Sequence, residues 1–141
     1  MGRIIAIDYG KKRTGIAVSD PLHLIANGLC TVLSDDLMAF LKKYVSEEAV
    51  DLFVVGFPLK MNHQPSENLK NVNVFVEKLN EELPDIPVKY VDERFTSSLA
   101  KQAIIDAGLK KKKRQDKALV DEVSAVIILQ SYLESKYPTV K

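Results

Sequence analysis

Residues 3–20 read RIIAIDYGKKRTGIAVSD, two strand-forming runs separated by one short polar connection. Residues 3–8 (RIIAID) and 14–19 (TGIAVS) are rich in β-branched side chains, which suit a pleated, half-buried surface. A parallel crossover needs a dozen or more residues, so a linker as short as YGKKR makes the pair antiparallel. The first run ends on a carboxylate, Asp8. Left unpaired at the end of a buried strand, that group would cost several kcal/mol. It is therefore a turn residue bonded to its own backbone, the partner of a basic side chain, or one arm of a metal or phosphate site.

The rest of the chain extends this hairpin. Residues 26–33 (ANGLCTVL) suit a third strand of the same meander. Residues 35–50 (DDLMAFLKKYVSEEAV) place Leu37, Phe40, Leu41, Tyr44 and Val45 at helical spacing, with Ser34 or Asp35 as the expected cap. The run DLFVVGF (51–57) is continuously apolar, the pattern of a strand covered on both faces. A turn-rich loop, FPLKMNHQPSEN (57–68), precedes a helix with Leu69, Val72, Phe75, Val76 and Leu79 on one face, stopped by Pro84. PVKYVDE (87–93) reads as a strand and TSSLAKQAIIDAG (96–108) as a helix ending at Gly108. KALVDEVSAVIILQSYLESK (117–136) is a long helix, apolar around most of its circumference and so expected inside the fold. The order β-β-β-α-β-α-β-α-α describes an α/β architecture. Its mixed five-stranded sheet has three antiparallel strands first, with later strands added by helical crossovers.

Bulk properties narrow the function. A chain of 141 residues without repeats, low-complexity segments or linkers is expected to be one domain, residues 1–141. A domain of that size buries roughly 70% of the surface its unfolded chain exposes, so it needs no covalent staple. One cysteine, Cys30, and two separated histidines, His23 and His63, make neither an intramolecular disulfide nor a zinc site. The opening lacks the apolar core of a signal peptide, and no apolar run approaches the ~18 residues of a membrane span. The expectation is a cytoplasmic protein with no membrane partner. A formal charge of +1 excludes a basic surface over the whole molecule but not local clusters. Two are visible: Lys11, Lys12 and Arg13 in the hairpin, and Lys110, Lys111, Lys112, Lys113 and Arg114 after Gly108. The second reads either as a solvated charged loop or as an arm that neutralises nucleic-acid phosphates.

The acidic residues sit at element ends. Asp8 ends the first strand, Asp92 and Glu93 end the last, and Asp121 and Glu122 lie near the start of the final helix. If strand one is central and parallel to the later strands, the two strand ends come side by side. Asp121 precedes Ser124, Ala125 and Ile128 by three, four and seven residues, on a small apolar face that can approach the sheet. Three converging carboxylates repel one another unless a cation of high charge density lies between them. Mg²⁺ prefers hard oxygen ligands and binds through a few carboxylates plus substrate phosphate. Two such ions about 4 Å apart would suit in-line phosphodiester hydrolysis without a protein general base.

These segments also carry a family resemblance. IDYGKKRTGIAVSD (7–20), VVGFPLKMN (54–62), VDERFTS (91–97) and VDEVSAVIILQSYL (120–133) resemble, in order, the motifs of the YqgF/RuvX family. That family comprises Holliday junction resolvases linked to maturation of the small-subunit ribosomal RNA precursor. The resemblance spans about residues 3–134 and implies a ribonuclease H-like fold with a metal-dependent nuclease activity. It implies Asp8, Glu93 and Asp121 as catalytic metal ligands for Mg²⁺ or Mn²⁺, which settles the choice between Asp92 and Glu93. It further implies phosphate-facing roles for Arg13 and Arg94, with precursor RNA or branched DNA as partner. Two departures stand out. His63, Gln64 and Pro65 replace the usual glycine and small hydroxyl residue after the middle motif, and Ser124 replaces the usual alanine in the final helix. Two other readings are a non-catalytic nucleic-acid or ribosome-assembly module and a one-lobed relative of the sugar-kinase and actin-type ATPases. The latter close two lobes over ATP, and this chain provides one.

Overall fold

The computed structural model describes residues 2–57, 69–92 and 117–136, the side chains of residues 57, 92, 117–121 and 134–136 excepted. Strands β1 (Arg3–Tyr9), β2 (Arg13–Ser19) and β3 (Ala26–Leu33) are followed by a 3₁₀ turn (Ser34–Asp36) and helix α1 (Leu37–Glu47). Then come β4 (Val50–Phe57), α2 (Leu69–Glu82), β5 (Val88–Asp92) and α3 (Lys117–Lys136). The expected loop over 57–68, beyond its first residue, and the helix over 96–108 lie outside the described residues.

The five strands form one mixed sheet in the order β3-β2-β1-β4-β5. β1 and β2 are antiparallel, as the short connection requires, and β2 and β3 continue the meander. β4 runs parallel to β1, and β5 runs parallel to β4. One expectation is corrected here: the ends of β1 and β5 are not neighbours, because β4 lies between them. β4 takes an interior place between β1 and β5, as a strand apolar on both faces requires. Leu52, Phe53, Val54 and Val55 are all buried, a pattern only an interior strand can satisfy.

Strand alternation divides the core into two layers. Ile5, Ile7, Ile16, Val18, Phe53 and Val55 point to one face and pack against Leu37 and Leu41 of α1 and Val72, Phe75, Val76 and Leu79 of α2. On the other face Ile4, Ala6, Ala17, Leu52 and Val54 meet Ala125, Ile128, Leu129 and Leu133 of α3. Small residues let α3 come close. Ala6, Ala17 and Gly28 stand in one row across β1, β2 and β3, and a Cβ at Gly28 would overlap the Glu122 carboxylate. α3 is less enclosed than its composition suggests, because Val126 and Ile127 are only half-buried.

His23 has a structural task in this frame. It takes a left-handed backbone (φ 60°), and its buried Nε2 donates to the Gly2 carbonyl at 2.6 Å, which ties the β2–β3 loop to the start of β1. Among the described residues no helix is long and apolar enough to cross a membrane.

Candidate active site

Asp8 lies one step from the end of β1, and its position is fixed from the opposite face of the sheet. Ile7 is fully buried, and the Tyr9 ring stacks on Phe75 of α2 with centroids 4.8 Å apart and planes 12° apart. With its two neighbours held in the α1/α2 layer, alternation puts Asp8 on the α3 face, with Ile4 and Ala6. It is half-buried there. Burial raises the pKa of the Tyr9 hydroxyl, and the Asp35 carboxylate raises it further.

The neighbours of Asp8 along the sheet are both glycines. Gly15 of β2 is its partner in the antiparallel pair. One step beyond the Ile7–Val55 pair of the parallel ladder, Asp8 comes alongside Gly56 of β4. Both glycines are buried, and neither of these two sheet neighbours carries a side chain. On this face of the sheet α3 supplies its buried stripe. Asp121 stands one turn before Ala125 and two turns before Ile128, both fully buried against the sheet. By helical spacing Asp121 falls on the stripe of α3 that carries Ala125 and Ile128. Val91 of β5, paired with Gly56, packs in the same layer.

Basic residues approach from the hairpin. Lys11 and Lys12 are exposed at the turn, and Arg13 is half-buried. Arg13 alternates with Gly15 and Ala17, so it stands on the Asp8 face of β2. Gly10 makes the turn possible, because a Cβ there would overlap the Arg13 carbonyl oxygen. Ser34 serves the same turn and not the helix for which it reads as a cap. The residue before α1 is Asp36, without a side-chain capping bond, and Ser34 instead bonds the hairpin.

The structure therefore brings Asp8, Arg13, Lys11 and Lys12 to one end of the β1–β2 hairpin, while Asp121 lies on α3 with its side chain outside the described residues. Glu93, Arg94, Lys111, Lys112 and Lys113 lie outside the described residues. Gly15, Gly56 and Ser34 were not legible as site residues, because their relation to Asp8 exists only once the register is known. The oxygen donors here suit a hard cation. Cys30, the only thiol, lies opposite Ile16 and packs in the α1/α2 layer, on the other side of the sheet.

A central strand ending in a carboxylate, three antiparallel strands first and a long helix across one face define a ribonuclease H-like fold. Thermus thermophilus RuvC, solved in complex with a Holliday junction substrate, shares it with a TM-score of 0.57 at 13% identity, covering 100% of this chain and 99% of that one. Residues 2–135 match the family model of RuvX, described as Holliday junction resolvase, and the chain belongs to that family of phosphodiester-cleaving hydrolases. Two relatives carry the name "Putative pre-16S rRNA nuclease". The protein of Phocaeicola vulgatus is 63% identical over 96% of this chain and 98% of its own length. That of Parabacteroides distasonis is 64% identical over 96% and 97%. Nucleases of this fold are in general dependent on divalent metal.

Proposed function

We propose that the chain, acting as one domain over residues 1–141, is a cytoplasmic nuclease that trims precursor 16S ribosomal RNA. Asp8, Glu93 and Asp121 are the ligands for two Mg²⁺ or Mn²⁺ ions. The observation that carries this reading is the half-buried Asp8 near the end of the central strand, flanked by Gly15 and Gly56 on the sheet face that α3 covers. Glycines carry no side chain to compete with ions and a phosphate for the space beside Asp8.

The strand order also favours Glu93. With β4 between them, β1 and β5 are two strand spacings apart, roughly 10 Å. Across such a distance the longer side chain of a glutamate is better suited than that of an aspartate. Alternation puts Val91 on the α3 face, and Glu93 is two residues on, whereas Asp92 takes the opposite parity. When bound, the ions would activate a water and stabilise the leaving oxygen. This chain's residues hold and orient. Lys11, Lys12 and Arg13 line up the backbone phosphates beside Asp8, and Arg94 with Lys111, Lys112 and Lys113 extends that contact. The choice of RNA follows the full-length relatives above 60% identity.

The test is cleavage by purified protein with Mg²⁺ or Mn²⁺ on precursor 16S RNA, single-stranded RNA, duplex DNA and a four-way DNA junction. The wild type should cut the precursor RNA best, and Asp8→Asn should fall to the metal-free background while keeping its circular dichroism spectrum. Cleavage by Asp8→Asn at the wild-type rate, in a preparation free of other nucleases, overturns the metal assignment. Preference for the junction overturns the substrate.

A further inference from the structure

The β1–β2 hairpin is latched to the end of β3 by one residue, through its side chain and its backbone. The Ser34 hydroxyl donates to the Gly10 carbonyl at 2.5 Å, and the Ser34 backbone N–H donates to the Lys12 carbonyl at 2.9 Å. These two carbonyls bracket Lys11. Thr14, fully buried in β2, has its hydroxyl 2.8 Å from Ser34 Oγ. Since the Ser34 proton is committed to Gly10, the Thr14 hydroxyl is the donor in that pair. The result is a chain of hydrogen bonds from Thr14 through Ser34 to the turn, in which each bond polarises the next.

A two-lysine turn has no core of its own to hold it. Lysine side chains are flexible point charges, so their placement depends on the backbone beneath them. Here that backbone is tied on both sides of Lys11 to Ser34, 24 positions beyond Gly10 in the chain. The tie joins the turn to the same sheet that fixes Asp8.

We propose that Ser34 is a positioning residue for substrate: its latch on Gly10 and Lys12 holds Lys11 and Lys12 where backbone phosphates pass on their way to Asp8. This rests on the reading of the hairpin as a phosphate-binding arm. Without the latch the turn samples other conformations, and phosphate contacts are lost although both lysines are present. Such contacts are made equally in the ground and transition states, so their loss raises KM and leaves kcat.

The experiment compares wild type, the Lys11→Ala/Lys12→Ala double variant, Ser34→Ala and Ser34→Thr. Binding of labelled single-stranded RNA is measured over a series of salt concentrations, with Mg²⁺-dependent cleavage kinetics alongside. Loss of both lysine contacts should flatten the slope of log K against log salt by roughly 1.4, at about 0.7 per single-strand contact. Ser34→Ala, with its lysines intact, should show part of the same flattening and a several-fold rise in KM at unchanged kcat. Ser34→Thr, which keeps the hydroxyl, should return both toward wild type. If Ser34→Ala does not fold, Ser34→Cys, whose thiol is of similar size but only a weak donor, provides the same comparison.

A wild-type slope and KM in Ser34→Ala, alongside a flattened slope in the double variant, overturns the latch and leaves the arm standing. A fall in kcat and melting temperature at unchanged KM, not rescued by threonine, makes Ser34 merely structural and also overturns it. An unchanged slope in the double variant overturns the arm itself, and the latch with it.

Discussion

Asp8 of β1 faces Gly15 of β2 across the antiparallel pair, a carboxylate set opposite a residue with no side chain. The glycine is not required by a turn, since Gly15 sits inside β2 with Thr14 and Ile16 buried on either side. Gly in a strand interior weakens the strand and marks a place where something approaches closely. Gly15→Val tests what that is. Valine favours strands, but its methyl groups would occupy the α3 face beside Asp8. The Mg²⁺ concentration for half-maximal cleavage should rise about tenfold, equivalent to about 1.4 kcal/mol of binding. Circular dichroism should show the fold retained. A wild-type Mg²⁺ titration in this variant would mean the space beside Asp8 is not used.

Phe53 and Leu33 offer a contrast within one sheet. Phe53 is fully buried in interior β4, whereas Leu33, at the end of edge strand β3, is 59% exposed. Phe53→Ala removes a ring from between β4 and the α1/α2 layer and should cost about 3–5 kcal/mol. Leu33→Ala should stay within about 0.5 kcal/mol of wild type. Urea unfolding with a shared slope checks both, and equal losses would contradict the core assignment.

That contrast shows which parts of the fold were legible in the residue pattern. The apolar run 51–57 announced a strand buried on both faces, and the short YGKKR connection dictated an antiparallel hairpin. The pattern did not say on which side of β1 the later strands would be added, because a helical crossover is long enough to skip a place. Hence the ends of β1 and β5 were expected side by side, although β4 separates them. Ser34 was misread for a related reason. Ser-Asp-Asp before an apolar helix has the composition of a cap, but its hydroxyl met a nearer acceptor in the turn at Gly10, a relation visible only in three dimensions. Asp8 stood out as a site residue because a charged strand end needs a reason. Gly15 and Gly56 are silent until the register aligns them.

Asp20 closes the β2–β3 loop through its carboxylate, which accepts the backbone N–H groups of Ile25 at 2.8 Å, Leu24 at 2.7 Å and Leu22 at 3.2 Å. The Ile25 amide is the largest influence holding its pKa below the usual 3.8, against a smaller opposing effect of burial, with the Leu24 and Leu22 amides adding to the lowering. A carboxyl with a depressed folded-state pKa contributes stability that is present above the unfolded value and lost as pH falls through the folded one. The loop should therefore hold at neutral pH, begin to loosen below about 3.8, and open fully only in stronger acid. Amide exchange at Leu24 and Ile25 followed across this range reads it directly. Asp20→Asn should abolish the pH dependence, and a loop that loosens on the alkaline side would reverse the sign and refute the account.

Metal binding can be read without any substrate. If Asp8, Glu93 and Asp121 hold the ions, a cation relieves the repulsion among their carboxylates and binds only the folded chain, so added Mg²⁺ should raise the melting temperature in a concentration-dependent way. Asp8→Asn removes one of the repelling charges. Its metal-free melting temperature should equal or exceed that of the wild type, and its response to Mg²⁺ should be largely lost. Ca²⁺ is larger and accepts looser, more numerous ligands. It should therefore stabilise the wild type as Mg²⁺ does while supporting little cleavage, since in-line hydrolysis depends on close placement of the attacking and leaving oxygens. Thermal scans of both proteins with each ion, paired with cleavage assays, separate binding from chemistry. An equal Mg²⁺ shift in wild type and Asp8→Asn would move the ions away from the end of β1, and cleavage in Ca²⁺ at the Mg²⁺ rate would argue against two-metal hydrolysis.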